Sequence, residues 1–474
     1  MPALAPTVKN LQRYPPDLLN RRRSRSYKPS NRLQRRYQTI GEQLASSERV
    51  SAGTPRIRKH QTPKNFFDSL GPGLITGAAD DDPSGISTYS VAGAAFGYAT
   101  LWTALITFPL MTAVQMMCAR LGLVTGRGLA HGIRLRYSCW VLWGACALLA
   151  VANITNLGAD LGGMAEVTGM ILGLNSLALT LAYAVLIIAL LFWSTYRHIV
   201  RIFKWLTLVL FAYVVGAFFS KPDWRAVLES SFIPHIGLDR QFFSVLVAIL
   251  GTTISPYLFF WHAAQEVEDQ RANASAPRRK IKVPNPRELR ALRTDVITGM
   301  FFSNLVMYFI ILTTGAALHS HGKTNIETAK QAAEALLPLA GSGAYWLFSL
   351  GIIGTGMLAI PVLAGSCAYA FAEAAAWRGT LDVPPQRAGG FYAVIGATIL
   401  AGVALNFAHL NAVRMLFLSA VVNGVLAPPL ICLVVLMTSD RRVMGEAVAP
   451  PVIRYLGWIT FALMTAAAIA MFVG

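Results

Sequence analysis

Charged residues are scarce in this sequence once its first 64 residues are set aside. Across all 474 residues, 14% are Asp, Glu, Lys or Arg and 54% are hydrophobic, and the mean hydropathy is +0.49. Soluble domains carry about 25% charged residues. The scarcity of charge therefore excludes an ordinary soluble domain and indicates a chain that crosses a membrane several times.

Motifs of several other protein classes are also lacking. The sequence has no C-x-x-C pair, and its five cysteines lie in or beside apolar runs, which argues against a disulfide framework. It has no Walker-type G-x-x-x-x-G-K-[ST] motif, and its largest loop, 265–292, is too short for a nucleotide-binding module. We therefore expect no ATP hydrolysis, no enzymatic activity and no bound cofactor.

Positive charge is concentrated at the amino terminus. Residues 1–64 hold 15 Lys and Arg against three Asp and Glu, including the run RRRSR at 21–25. The segment lacks the apolar stretch of a secretory signal. We interpret it as a disordered cytoplasmic tail that meets anionic lipid headgroups, rather than as an arm that binds nucleic acid.

Apolar runs long enough to cross a bilayer occur eleven times. They are 67–94, 99–119, 139–170, 176–194, 199–219, 241–264, 293–318, 343–375, 390–408, 412–437 and 452–473. With the amino terminus in the cytoplasm, 35 of the 41 Lys and Arg fall on the cytoplasmic side, as the positive-inside rule requires. The sequence predicts a multi-pass protein of the cell (inner) membrane, with a tail at 1–64 and a transporter domain at 65–474.

Two of the spans contain helix-breaking residues at corresponding positions. DDPSG interrupts the first span and GTTISP interrupts the sixth. Because the two spans are five apart, they run in opposite directions, which is typical of inverted-repeat transporters with broken helices. We predict one repeat at about 65–220, a second at about 240–438 and an extra helix at 452–473.

Three consecutive aspartates, Asp80 to Asp82, lie at the first break within an apolar run. Carboxylates within a membrane span are costly to bury and usually have a function. Carboxylate, hydroxyl and backbone carbonyl oxygens around a polar cavity suit a hard cation.

These residues resemble the Nramp family of divalent-metal transporters. GPGLITGAADDDPSG is similar to the family's first helix, which has G-P-G followed by D-P-G-N. GTTISPYLFFWHA resembles its sixth-helix motif A-x-x-M-P-H with a second His five residues later, and LSAVVNGVLAPPLICLVVLMTSDRRVMG resembles its tenth helix and the following loop. The resemblance covers about 65–473 and implies an all-α, LeuT-like 5+5 inverted repeat that imports divalent metal ions.

The resemblance also implies a set of metal ligands, with departures from the family pattern. Asp82 keeps the metal-binding Asp, whereas Gly85 stands in place of the coordinating Asn and Ser255 in place of the Met. Thr252 replaces the Ala that contributes a carbonyl. The Gln of the tenth helix becomes Ala420, for which Asn423 is a candidate substitute.

The loss of the methionine favours a harder ion. A thioether selects transition metals, whereas a serine hydroxyl is a hard, neutral oxygen. The smaller side chains at 85 and 255 also predict room for waters, and Mg²⁺ usually keeps several of its own. The pattern looks like the Nramp-related magnesium transporters, so we expect Mg²⁺ as the substrate, with Mn²⁺ as a further ion. The alternative is a proton-coupled Mn²⁺/Fe²⁺ importer.

The residues for proton coupling depart from the family pattern too. Tyr257 replaces the His that follows the sixth-helix Pro, while His262 keeps the second His position. In the third span, Asp160 and Glu166 each have Gly163 where the family has the acidic partner three residues away. We treat all four as candidates for a proton or gating role and expect transport without proton coupling.

Other interpretations stay open at this point. Asp81 is a candidate for contact with the ion through water, because it precedes Asp82 and would point about 100° away on a regular helix. A transporter of amino acids with the same fold is disfavoured by three clustered aspartates. A membrane sensor that signals through the basic tail is disfavoured because no signalling domain is recognisable.

Overall fold

A computed structural model describes residues 72–193, 208–273, 284–377, 379–408 and 411–473. The basic tail predicted at 1–64 lies outside these residues. Of the two predicted repeats, the first contains α1 (Pro72–Asp80), α2 (Pro83–Phe96), α3 (Trp102–Thr125), α4 (Leu129–Arg136), α5 (Cys139–Leu172), α6 (Ser176–Trp193) and α7 (Phe211–Phe219). After α8 (Trp224–Phe232), the second contains α9 (Arg240–Thr253), α10 (Pro256–Asn273), α11 (Pro286–Ala317), α12 (Ala329–Ala333), α13 (Leu337–Ala340), α14 (Ala344–Ala374), α15 (Gly389–Asn406) and α16 (Ala412–Ser439). The chain continues through α17 (Arg441–Met444) to α18 (Pro451–Val473).

The predicted all-helical membrane architecture is confirmed. Nine helical segments within the described ranges are long and apolar enough to cross a bilayer. The first predicted span is divided into α1 and α2, each too short to be counted alone, and the fifth is described only as the apolar segment Leu208–Phe219. These two segments and the nine long ones account for the eleven predicted spans.

Both helix breaks occur where the sequence predicts them. α1 ends at Asp80 and α2 begins at Pro83, with Asp82 in extended backbone conformation as its N-cap. α9 ends at Thr253, and α10 begins at Pro256. Proline lacks an N–H and has a φ suited to the first turn of a helix, so each proline is the first residue of the half-helix that follows the break.

Glycines allow the half-helices to lie against their neighbours at backbone distance. A Cβ on Gly77 of α1 would lie 2.3 Å from the carbonyl oxygen of Gly299 in α11. A Cβ on Gly251 of α9 would lie 2.1 Å from the carbonyl oxygen of Ala420 in α16. Close approach of this kind is typical of helix packing in membranes.

The broken helices lie in the centre of the fold. The residues from Tyr257 to Trp261 at the start of α10 are all buried, including four aromatic rings. By contrast, α6 leaves large apolar side chains exposed, among them Leu181, Val185 and Leu186. A helix buried on all sides and a helix with an exposed apolar face are the inner and outer elements expected of a bundle in lipid.

Candidate metal site

Asp82 lies at the break between α1 and α2 and is 1% exposed. Its Oδ1 accepts hydrogen bonds from the backbone N–H of Gly85 at 2.8 Å and from the Ser84 hydroxyl at 2.7 Å. Its Oδ2 accepts from the Asn156 amide at 2.7 Å. These donors come from the first turn of α2 and from α5, and they fix the carboxylate in one orientation at the positive end of the α2 dipole.

Asn156 belongs to the site, although none of the sequence motifs includes it. Besides donating to Asp82, its Oδ1 accepts a hydrogen bond from the Ser419 hydroxyl at 3.0 Å. The chain of contacts therefore runs from α16 through α5 to the carboxylate. The available signal was an amide side chain within an apolar span, one turn before Asp160.

The second break contributes neutral oxygens. The Thr252 hydroxyl lies 2.8 Å from the hydroxyl of Tyr89 in α2. The Ser255 hydroxyl donates to the carbonyl oxygens of Gly251 at 3.0 Å and Thr252 at 2.7 Å. Thr252 and Ser255 are each 1% exposed. The second break thus presents hydroxyl and carbonyl oxygens beside α2.

The two breaks lie close together at Gly85, which has no side chain to separate them. A Cβ at this position would lie 2.9 Å from the Thr252 hydroxyl oxygen and 3.5 Å from Oδ1 of Asp82. The structure therefore brings Asp82, Gly85 and Thr252 together, although 170 residues separate the first from the last. The room predicted beside Gly85 is filled in this conformation by the Thr252 hydroxyl and by the Tyr89 ring, whose Cε2 would lie 3.4 Å from that Cβ.

Asp81 and Asp80 both contact α11. The Ser303 hydroxyl lies 2.7 Å from Oδ2 of Asp80 and 3.1 Å from Oδ1 of Asp81. Oδ1 of Asp80 is buried and has no hydrogen-bond partner among the described residues. The two carboxylates thus share one hydroxyl on α11, whereas Asp82 accepts its hydrogen bonds from α2 and α5.

Asn423 lies in α16 and is 1% exposed. Neither its amide nitrogen nor its oxygen has a hydrogen-bond partner in the described part of the chain. The next residue, Gly424, packs on α9, since a Cβ there would lie 2.3 Å from the Val247 carbonyl oxygen. Asn423 is thus an unpaired buried amide beside the helix that carries the second break.

Two of the four candidates for proton transfer or gating, Tyr257 and Asp160, lie close enough to Asp82 to interact with its charge. The Tyr257 hydroxyl donates to the Ala79 carbonyl at 2.8 Å and so links the two breaks. Nδ1 of His262 lies 3.1 Å from Oε1 of Gln115 in α3. Asp160 is fully buried, and its carboxylate oxygens have no hydrogen-bond partner within the described ranges. Glu166 lies apart from the others and accepts from the backbone N–H of Ala329, the first residue of α12, at 2.9 Å.

No group of three or more His, Cys, Asp or Glu side chains in a metal-binding arrangement is found among the residues that the structure describes. The side chains that contact Asp82 at the breaks include those of Ser84 and Asn156, with Thr252 across Gly85. The carboxylates of Asp80, Asp81 and Asp160 also lie close enough to interact with the charge of Asp82. The direct contacts of Asp82 therefore come from neutral hydroxyl and amide groups, and further buried carboxylates lie near it.

The family model for natural resistance-associated macrophage protein-like (Nramp) proteins matches residues 73–474. The chain belongs to the Nramp family. It is 30% identical over 410 residues to the divalent metal cation transporter MntH of Aeromonas hydrophila, covering 83% of this chain and 93% of that protein. This membership makes the chain a multi-pass divalent metal cation transporter.

Solved structures with the same fold include other transporters. The manganese transporter of Eremococcus coleocola, in complex with an aromatic bis-isothiourea compound, has a TM-score of 0.69 at 19% identity, with 85% of each chain covered. Mhp1, a nucleobase-cation-symport-1 family transporter, has a TM-score of 0.52 at 12% identity, covering 85% of this chain and 92% of the other. At these identities the likeness shows the fold alone, and it confirms the predicted LeuT-like architecture.

Proposed function

We propose that this Nramp protein imports Mg²⁺ as a partly hydrated ion, driven by the membrane potential and without proton symport. The observation that carries the proposal is the chemistry of the two breaks, where Asp82, Thr252 and Ser255 offer oxygen atoms alone. Mg²⁺ prefers oxygen ligands, binds one or two carboxylates and keeps several waters. A soft thioether at position 255 would instead favour Mn²⁺, Fe²⁺ or Cd²⁺.

Asp82 is already oriented to receive a cation. Three donors from the protein fix the orientation of its carboxylate, and a group held in place by its neighbours is preorganised for binding. Thr252 lies across Gly85, and rotation of its hydroxyl away from Tyr89 would open space for a water that stays on the ion. Asn423 offers a further neutral oxygen from α16, and Asp81 acts through water.

The proposal of uncoupled transport rests on the hydrogen bonds of Tyr257 and Glu166 and on the missing acidic pair of the third span. Tyr257 donates its hydroxyl proton to a carbonyl of α1, and Glu166 accepts from the first N–H of α12. Asp160 and Glu166 both lack an acidic partner three residues away, because Gly163 lies between them. The membrane potential supplies about 2.3 kcal/mol per charge per 100 mV, which is doubled for a divalent ion. That driving force is sufficient for the accumulation of Mg²⁺ without proton symport.

We also propose an orientation and a partner for the tail. The amino terminus is cytoplasmic, since this orientation places 35 of 41 Lys and Arg on the cytoplasmic side. The 15 basic residues of 1–64 contact anionic lipid headgroups of that membrane face.

Uptake into proteoliposomes tests this function. With a negative interior potential set by a potassium gradient and valinomycin, we expect Mg²⁺ to enter without acidification of the lumen. An inward proton gradient imposed in place of the potential should not drive uptake. Mn²⁺ entry with acidification, in the absence of Mg²⁺ entry, would contradict the proposal.

A second candidate is the import of Mn²⁺ or Fe²⁺, and Met164 favours it. A Cβ on Gly356 would lie 2.4 Å from Sδ of Met164 and 3.3 Å from the Pro83 ring, so a thioether lies near the start of α2. Met164→Leu removes this soft atom with little change in volume. We expect the ratio of Mn²⁺ to Mg²⁺ uptake rates to stay unchanged in this variant. A fall of roughly tenfold would indicate a soft ligand and support the second candidate.

A further inference from the structure

A cavity of about 480 Å³ lies outside the candidate metal site, and no residue of the two breaks lines it. Its walls come from α4 and the turn before it, the last turns of α10, and the end of α14 with the loop that follows. These segments follow the second, sixth and eighth spans and so belong to one membrane face, which the positive-inside rule assigns to the cytoplasm.

The cavity is rich in cationic groups. Arg127, Arg134 and Arg271 all line it, and the charge of Arg271 also acts on the nearby carboxylates of Glu268 and Glu373. Arg127 contacts Nε2 of His131. Burial and the charges of Arg127 and Arg134 lower the pKa of His131 to about 4, so at neutral pH this imidazole is uncharged and accepts from the guanidinium.

The two carboxylates of the cavity are already engaged. Glu268 of α10 accepts a hydrogen bond from the hydroxyl of Tyr369 in α14. Glu373 accepts from the backbone N–H groups of Gly128 at 2.8 Å and His131 at 3.1 Å, at the start of α4. The carboxylates therefore accept their hydrogen bonds from neutral donors and hold the walls together, and the three guanidinium groups are the charged donors that line the cavity.

We propose that this cavity binds a phosphate-bearing anion between Arg271 at the end of α10 and the pair Arg127 and Arg134. The planar guanidinium fork matches phosphate oxygens in geometry and charge. Trp377 lines the rim and is 52% exposed, as expected of an aromatic side chain at a membrane interface. Basic pockets between membrane helices suit phospholipid headgroups, and a soluble phosphate compound would satisfy the same donors.

The bound anion would act on transport through α10. This helix begins at Pro256 beside the candidate metal site and reaches the cavity at Arg271. The Glu268–Tyr369 contact already joins α10 to α14 on this face. An anion shared by the three arginines would also connect α10 to α4. Occupancy therefore opposes separation of these helices and slows the transport cycle. The cytoplasmic location rests on the proposed orientation, whereas binding itself does not depend on which metal is carried.

Binding to the full-length protein tests the site. Inorganic phosphate, ATP and phosphatidylglycerol are titrated against the detergent-solubilised chain, with thermal stabilisation and native mass spectrometry as readouts. Arg271→Gln and Arg134→Gln should each weaken binding of the preferred probe by roughly tenfold. The control is Arg387→Gln, an exposed arginine on the same membrane face that does not line the cavity. Equal binding by wild type, Arg271→Gln and Arg134→Gln would overturn the proposal.

Flux measurements then distinguish the source of the phosphate. Slower uptake by wild type in phosphatidylcholine vesicles that contain phosphate or ATP identifies a soluble anion. Slower uptake only when phosphatidylglycerol is included identifies a lipid headgroup. In either case Arg271→Gln should transport at the rate that wild type shows without the anion. Wild-type flux that is insensitive to both sources would overturn the regulatory role. Failure of Mg²⁺ uptake alone contradicts the proposed function, and the binding readout remains independent of it.

Discussion

Asp82→Ala is expected to reduce metal uptake to the background of empty vesicles. The substitution removes the carboxylate at the first break and also the N-cap that accepts from the Gly85 N–H. Loss of such a cap costs about 1 kcal/mol of stability, which does not by itself prevent folding. The initial rate of Mg²⁺ or Mn²⁺ uptake, normalised to the amount of folded protein, measures the effect.

Two further variants distinguish the effect of losing the negative charge from the effect of losing a helix N-cap. Asp82→Asn keeps an oxygen that can cap α2 and removes the negative charge, but it places an amide donor opposite the Asn156 amide that donates to Oδ2. It should lose uptake while keeping more thermal stability than Asp82→Ala. Asp239→Asn alters the N-cap of α9 at an exposed position, where Oδ2 accepts from the Phe242 N–H at 3.0 Å, and should leave uptake unchanged. Wild-type flux in Asp82→Asn would remove the carboxylate from the proposed site.

Ser255→Met is expected to shift selectivity from Mg²⁺ towards Mn²⁺ and Cd²⁺ by roughly tenfold, because it replaces a hard hydroxyl with a soft thioether. In the present structure the Ser255 hydroxyl donates to the carbonyls of Gly251 and Thr252. The substitution therefore also releases the Thr252 carbonyl as a ligand. The measurement is the ratio of uptake rates for the three ions at equal concentration.

Ser255→Leu is the matched control for side-chain volume. Leucine resembles methionine in size but has no sulfur, so it should lower Mg²⁺ uptake without a gain for Cd²⁺. Equal shifts in selectivity for the Met and Leu variants would show that cavity size, and not ligand softness, sets the preference.

The architecture was predictable because its signals are local. Pro83 and Pro256 each begin a half-helix next to small, polar residues that favour a break, whereas Pro109 and Pro361 lie inside continuous helices. The distribution of Lys and Arg predicts the alternation of spans without knowledge of packing. Hence the breaks of the first and sixth spans and the helical fold followed from local signals, whereas the divalent-metal transporter class followed from the resemblance to the Nramp family.

The details of the site were less predictable because they depend on helices that are distant in the sequence. Asn156 reaches Asp82 from α5 and is itself bound by Ser419 of α16. The room expected beside Gly85 is taken up by Thr252, a residue of the opposite repeat. Side-chain orientation at a helix break also lacks the regular helical periodicity, so the contact of Asp80 and Asp81 with Ser303 could not be predicted from their positions in the sequence.

Competition between the two ions tests the central claim most directly. The initial rate of Mn²⁺ uptake into proteoliposomes is measured at fixed external Mn²⁺ while external Mg²⁺ is raised, and Mg²⁺ accumulation is followed in parallel. A site of hard oxygens around Asp82 predicts that Mg²⁺ enters and that an excess of Mg²⁺ slows Mn²⁺ uptake. Mn²⁺ uptake that is indifferent to excess Mg²⁺, with no accumulation of Mg²⁺, would contradict the account.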